Sequence, residues 1–368
     1  MGKMSRFVTF AAFPASRFER SRLLVSKTCS TRMSGQVLVT GATGFIGSHL
    51  VPMLVSSGYT VHTISRREPE AKTPGVYHHI ADVTDSAAIQ RIASSCDWFA
   101  VLHLAGLISY TSADAKAMEE VNVTATAVLL KHVITHSPAA RFVLCSTVAA
   151  VGSNKSPDEA PLTEDAAWDK TAENVGYLRT KRKAEEIVRA AAKDGQLKAT
   201  VLCPSNVYGA GDASKSSRKT QVKAANGKWP LYTRGGVNVL HVRVLVEMFK
   251  KILEVQANDP IWRGERWLVV GENISIQEML STCAEYGGNK RYAPWLCLPI
   301  WVLWMVCAVG QIMGSTSFTL DRFAVATRYH WFNGAKARDR FLLESVSARE
   351  ALKDSVDWMR TKGMVSQR

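Results

Sequence analysis

The stretch "QVLVTGATGFIGSHL", Gln36 to Leu50, decides the fold. Its short apolar, β-branched beginning predicts a strand, and "GSHLVPMLVSSG" predicts a helix directly after it. Gly41, Gly44 and Gly47 fill the junction. A glycine triplet alone is a weak signal; strand, glycines and helix in succession give it meaning. Glycine permits the tight turn and lets the backbone approach a pyrophosphate. The helix N-terminus then supplies N–H groups and partial positive charge. The stretch therefore predicts the phosphate end of a dinucleotide site.

Further strand-like runs follow: "YTVHTIS", "VYHHI", "WFAVLHLAG", "RFVLCST" and "ATVLCP", separated by helix-like segments. These runs are continuously apolar rather than alternating, which implies a parallel sheet covered on both faces. "VNVLHV" and "RWLVVG" predict additional strands, and the polar breaks at 153–170 and 210–220 predict surface loops bordering a cleft. The expected class is α/β, a Rossmann-type doubly wound parallel sheet with a smaller, mostly helical C-terminal lobe. Residues 35–203 would form the dinucleotide-binding domain, with 236–270 returning to it. Residues 204–235 and 271–368 would form the substrate lobe and C-terminal segment.

The chain has 368 residues, 46% of them hydrophobic, which is enough for a large core and excludes bulk disorder. A net charge of +14 points to an anionic partner: phosphate, nucleic acid or an acidic membrane surface. The excess is dispersed, no aromatics interleave with it, and no nucleic-acid motif occurs, so nucleic acid is not expected. The seven cysteines are scattered without a CxxC, and the nine histidines form no HExxH. Neither a disulfide framework nor a metal site is expected.

Two segments stand apart. Residues 1–34 are rich in Arg, Ser and small apolar residues, with Glu19 their one acid. That composition suits a transit peptide for a mitochondrion or plastid better than a secretory signal. The alternatives are a plain extension or initiation at Met33, in which case the protein would be cytoplasmic or membrane-associated. "PWLCLPIWVLWMVCAVGQIMG", Pro294 to Gly314, is almost wholly apolar and carries three tryptophans. Three readings compete for it: a buried lobe helix, a peripheral membrane-surface segment, and a true span interrupted by Pro299 and Gly310.

The second strand ends in "TISRRE". An acid at this point, about twenty residues beyond the glycines, would hold ribose hydroxyls, whereas arginine accommodates a 2′-phosphate. Arg66 and Arg67 stand there, so NADP is expected and NAD is the second choice. Asp82, after the third strand, either accepts from an adenine amino group or closes a turn.

The glycines, "HLAG" at 103–106, "LCSTVAAVG" at 144–152 and "YLRTK" at 177–181 together resemble the extended short-chain dehydrogenase/reductase family. "VNVTATAVLL", "CPSNVYGAGD" and "AKARDRFLL" add to the likeness, which runs from Gln36 to Trp358. The resemblance implies dinucleotide contacts from Gly41, Thr43, Gly44, Phe45, Ile46, Gly47, Asp82, Val83, Leu104, Ala105, Gly106, Asn122, Pro204 and Val207. It also implies that Tyr177 exchanges a proton with a carbonyl or alcohol oxygen while hydride moves to or from a nicotinamide. Thr147 would bind that oxygen. Lys181, one helical turn beyond Tyr177, would hold the nicotinamide ribose and draw the phenol's pKa down from about 10. Asn122 would fix the active-site backbone, although a plain helix-interior hydrogen bond explains it equally. Two departures are Cys203, where relatives carry arginine, and Arg243, where relatives have acids.

Within that family the sequence is most similar to the dihydroflavonol-reductase and 3β-hydroxysteroid-dehydrogenase branch. That likeness implies an NADP-preferring oxidoreductase acting on a small apolar or lipid-like hydroxyl or ketone. The alternative is a nucleotide-sugar epimerase or dehydratase with a resident dinucleotide, for which Arg218 and Lys219 could meet a diphosphate. The family also implies a homodimer paired through two long helices, one carrying Tyr177.

Overall fold

Alternate residues of the first strand bury on opposite sides, which makes this strand the centre of the molecule. Val37 and Val39 join one apolar cluster and Leu38 the other, all three inaccessible to solvent. The computed structural model describes residues 35–68, 73–168, 173–212, 218–315 and 318–366. The N-terminal extension of the sequence reading therefore lies outside the described residues.

Among them the main sheet has seven parallel strands: β1 (Gln36–Thr40), β2 (Thr60–Ser65), β3 (Val76–Ile80), β4 (Ala100–His103), β5 (Arg141–Cys145), β6 (Lys198–Pro204) and β10 (Arg263–Val269). Their order is β10-β6-β5-β4-β1-β2-β3, wound outward in both directions from β1 and β4. One face is covered by α1 (Phe45–Ser56) and α7 (Val242–Glu254), whose Leu50, Leu54, Leu245 and Phe249 pack with Val37 and Val39. The other face carries α2 (Ser86–Ala93), α4 (Ala125–His136) and α5 (Gly176–Lys193). There α3 (Ala115–Met118) runs through a π turn, Glu119–Thr124, into α4. Each fully buried Leu or Val contributes about 1.5–3 kcal/mol, so two dry faces hold the sheet.

The remaining strands are short. β7 (Asn206–Tyr208), β9 (Gly236–His241) and β11 (Glu272–Ser275) make a small sheet, and β8 (Leu231–Tyr232) pairs with β12 (Leu296–Cys297). α7 and β10 belong to the layers of the main sheet, and β9 to the small sheet. α6 (Lys219–Ala225), α8 (Ile276–Tyr286) and α12 (Ala348–Thr361) enclose a third core around Val239, Leu280 and Leu352. Ser275 and Ser347 cap α8 and α12 by accepting from the amides of Glu278 and Glu350. Arg243 reaches Glu344 and Glu350, each at 3.2 Å, so the acids missing from its own neighbourhood come from the C-terminal stretch.

The apolar segment corrects one reading. Pro299 precedes α9 (Ile300–Ile312), and of its side chains only Cys307 is buried. It is therefore not a core helix of the lobe. No helix among the described residues is long and apolar enough to cross a membrane. α10 (Leu320–Ala326) packs beside it, and α11 (Ala335–Phe341) lies on β10.

Candidate active site

The residues singled out in the sequence converge on the C-terminal edge of the main sheet. Gly41 leaves β1 with a φ of +70°, and a Cβ there would lie 2.8 Å from the Ala105 nitrogen. Only glycine lets the turn approach the Leu104–Ala105–Gly106 loop so closely. A Cβ on Gly47 would fall 2.4 Å from the Ala42 oxygen, so glycine also permits α1 to seat on the turn. Gly44 precedes α1 with no side-chain cap and no acid in the first turn, leaving that end suited to a phosphate. Thr43 is exposed, Ile46 half-buried, and Phe45 packs its ring toward Gly209 and Gly211.

Behind this turn runs a buried chain of hydrogen bonds whose direction follows from counting protons. The Ala105 amide donates to Thr40 Oγ1 at 3.1 Å, and that hydroxyl lies 2.7 Å from His103 Nδ1. Thr126 Oγ1 donates to the Asn122 carbonyl at 2.7 Å and sits 2.9 Å from His103 Nε2. Thr126 has spent its only proton, so His103 donates from Nε2 and accepts at Nδ1. Burial, with the charge of Lys181, pushes His103 down to about 3, consistent with a neutral ring. Asn122 is itself buried. Its Oδ1 accepts from the Leu107 amide at 2.8 Å, and its Nδ2 donates to the Leu107 oxygen and to Thr180 Oγ1, both at 3.0 Å. It thus fastens the loop after β4 to α5.

α5 presents Tyr177, Lys181 and Glu185 on its buried face, four residues apart. Lys181 Nζ donates to the Cys145 carbonyl at 2.9 Å. A Cβ on Gly106 would stand 3.8 Å from that ammonium and 3.4 Å from Asn122 Oδ1, so the missing side chain opens a cradle beside the lysine. Thr147 caps the short turn Val148–Ala150 by accepting from the Ala149 amide at 3.2 Å, and its hydroxyl faces the Tyr177 phenol closely enough to favour the ionised form. Ser146, the neighbour, turns away and donates to Glu185 at 3.3 Å.

The phenol's acidity differs from the expectation. Burial pushes the pKa of Tyr177 well above its usual value and the nearby Tyr110 adds to this, with the Thr147 hydroxyl opposing them. Burial likewise lowers Lys181. Burial penalises the charged phenolate, so the protein's own groups hold Tyr177 protonated.

Arg66 and Arg67 are exposed just beyond β2, and Ser65 Oγ donates to the Arg67 carbonyl at 2.8 Å. Asp82 Oδ1 accepts from the Thr84 amide at 3.0 Å and the Thr84 hydroxyl at 2.8 Å, a turn-closing role. These bonds, with a smaller contribution from Arg66, lower its pKa. Val83 is half-buried beside it. Pro204 is buried at the end of β6, and the Val207 carbonyl accepts from Arg218 at 2.5 Å. Arg218 is buried, pairs with Asp212 at 3.1 Å and stacks on Tyr208 at 3.8 Å. It is a structural ion pair rather than a reaching cation.

Tyr110, Arg322, Glu185 and Arg266 were not singled out in the sequence. Tyr110 stands edge-on to Tyr177 with ring centres 5.8 Å apart, and Arg322 lies 5.5 Å over the Tyr110 ring. Glu185, buried, gathers Ser146, Cys203 and Arg266 around it. Arg266 thus supplies the guanidinium that Cys203 does not. The spacing of Glu185 after Lys181 is visible in the sequence, but partners on β10 are not.

Residues 37–261, more than half of the chain, match the NAD dependent epimerase/dehydratase family. A Synechocystis protein provisionally named dihydroflavonol 4-reductase is 26% identical over 343 residues, 90% of this chain and 97% of the relative. "Sterol demethylase protein B" of Methylococcus capsulatus is 28% identical over 341 residues, 89% and 99% of the two chains. UDP-glucose 4-epimerase of Azospirillum brasilense is 29% identical over 199 residues, 53% and 56%. Among solved structures, UDP-glucose 4-epimerase of Thermotoga maritima with UDP-glucose superposes with a TM-score of 0.70 at 21% identity, covering 89% and 99%. UDP-glucuronic acid 4-epimerase of Bacillus cereus, in complex with UDP-glucuronic acid and NAD, gives 0.69 at 19% identity, covering 89% and 99%. The dinucleotide of that family fits the residues found here, from the uncapped helix end at Gly44 to the cradle beside Lys181. The chain belongs to the NAD dependent epimerase/dehydratase family and is an NAD(P)-dependent enzyme of the extended short-chain dehydrogenase type.

Proposed function

We propose that this enzyme is an NADP-preferring oxidoreductase that interconverts a ketone and a hydroxyl on an apolar or lipid-like substrate. The observation that carries the reading is Tyr177, kept protonated by burial and set beside Thr147 in an apolar wall of Met118, Val175, Leu178 and Tyr110. A bound nicotinamide supplies or accepts the hydride. In the reductive direction Thr147 and Tyr177 hold the carbonyl oxygen, and Tyr177 delivers the proton that becomes the product hydroxyl. Lys181, seated on the Cys145 carbonyl, stabilises the phenolate left behind. Arg66 and Arg67 support the choice of NADP, since an exposed guanidinium at the end of β2 complements a 2′-phosphate.

The substrate class rests on the wall and on two relatives matched along nearly their whole length, one named for a dihydroflavonol and one for a sterol. The nucleotide-sugar reading is weaker, because Arg218 is committed to Asp212 and the Val207 carbonyl. The test is oxidation of NADPH and of NADH with ketosteroids, dihydroflavonols and long-chain keto-lipids, alongside interconversion of UDP-glucose and UDP-galactose. Turnover of an apolar ketone with NADPH is expected; sugar-nucleotide epimerisation without net dinucleotide consumption overturns the reading.

A further inference from the structure

We propose that α9, with the residues just before it, docks on the surface of a bilayer carrying anionic headgroups and lies in the interface without crossing it. From Tyr292 to Leu320 the sequence contains no Asp, Glu, Lys, Arg or His. A stretch of that composition ordinarily fills a core, yet here it faces out: Trp301 is 63% exposed, Val309 55% and Ile312 86%. Soluble monomers rarely present a continuous apolar surface of this kind, and one that does marks a contact.

Length and charge identify the partner. Thirteen residues of helix extend about 20 Å, well short of the roughly 30 Å hydrocarbon thickness. A short helix that is apolar on nearly all sides can instead sink among the headgroups and upper acyl chains. Trp295, Trp301 and Trp304, all exposed, have the half-polar rings that settle at this depth. Cations border the face: Lys290 and Arg291 precede it, and Arg234 lines a cavity of about 740 Å³ together with Trp301, Trp304 and Phe323. Lys290 also lies 3.7 Å from Glu285, so Arg234 and Arg291 provide most of the attraction. A net charge of +14 reinforces it. The face adjoins the active site, because Thr319, which caps α10, donates to the Tyr110 carbonyl at 2.8 Å. The inference stands on exposure, length and charge and is independent of the redox chemistry.

The test is vesicle flotation of the full chain with phosphatidylcholine alone and with phosphatidylcholine mixed with phosphatidylserine. The protein should float with the mixed vesicles, and less so as salt is raised. Combined Trp301→Glu, Val309→Glu and Ile312→Glu substitutions should weaken flotation about tenfold or more, since each removes buried apolar area and adds like charge. Arg234→Glu with Arg291→Glu should abolish only the phosphatidylserine-dependent part. A melting curve unchanged by these surface substitutions guards against misfolding. Undiminished flotation of the triple variant overturns the proposal. So does a wild-type chain that ignores vesicles and forms a dimer dissociated by the triple variant, which would make the face a contact between two copies.

Discussion

Lys181 donates from Nζ to the carbonyl oxygen of Cys145 at 2.9 Å, tying α5 to the last residue of β5. The bond aims the ammonium toward the cradle left by Gly106 and fixes the distance between the helix and the Thr147 turn. Lys181→Met should lower kcat/KM about a hundredfold or more, the usual range for a group that assists proton transfer. Stability should hold or rise, because a buried cation is exchanged for an apolar chain of similar length. Thermal melting read beside turnover checks the split; parallel loss of both would make the lysine a structural residue only.

Gly41 has a φ of +70°, and any Cβ there presses on the backbone of Ala105. Gly41→Ala should cost about 1–3 kcal/mol of stability and weaken dinucleotide binding together with it. Denaturant unfolding and titration with NADPH measure the two effects. A change in neither would mean that the turn and the loop after β4 need not approach as they do.

Arg66 and Arg67 should separate the two dinucleotides. Replacing both by Ala is expected to weaken NADP binding by about tenfold or more while changing NAD little, since a charged hydrogen bond contributes about 1.5–3 kcal/mol. Dissociation constants for both cofactors decide it, and equal losses would remove the argument for NADP.

His103 predicts a pH dependence of stability. Its folded value of about 3 lies below the ordinary 6.5, so the unfolded chain takes up a proton that the folded protein refuses. Stability is therefore complete above the ordinary value and is lost as pH falls from there toward the folded one. His62, His79 and His330 are lowered by burial too and contribute in the same sense. His103→Gln, which can donate to Thr126 and accept from Thr40, should flatten the decline by about 1 kcal/mol for each pH unit. Melting temperatures across this range test it; an unchanged slope would assign the decline to the other histidines.

The sheet was legible because its central strands are largely apolar, which leaves no face for water there; the edge strand β3 is partly exposed. The phosphate turn was legible because glycines at a strand–helix junction have few other uses. The positions of Thr147, Tyr177 and Lys181 could be named from short motifs, but their ionisation could not. It depends on burial by Tyr110 and by α10, distant in sequence and ordinary in composition. Glu185 and Arg266 were hidden for the same reason, since an ion pair between a helix and β10 leaves no local pattern. Residues 294–314 misled because apolar composition is shared by cores and by contact surfaces. Only the fold tells which side of α9 is covered.

The most direct test of the account is the exchange Tyr177→Phe, which removes one hydroxyl and leaves the ring packed against Tyr110. Single-turnover reduction of an accepted ketone should fall by about a thousandfold or more, while the dissociation constant for NADPH stays within about twofold of wild type, because the phosphate turn and Lys181 remain in place. Reduction at the wild-type rate by this variant would contradict the assignment of Tyr177 as proton donor.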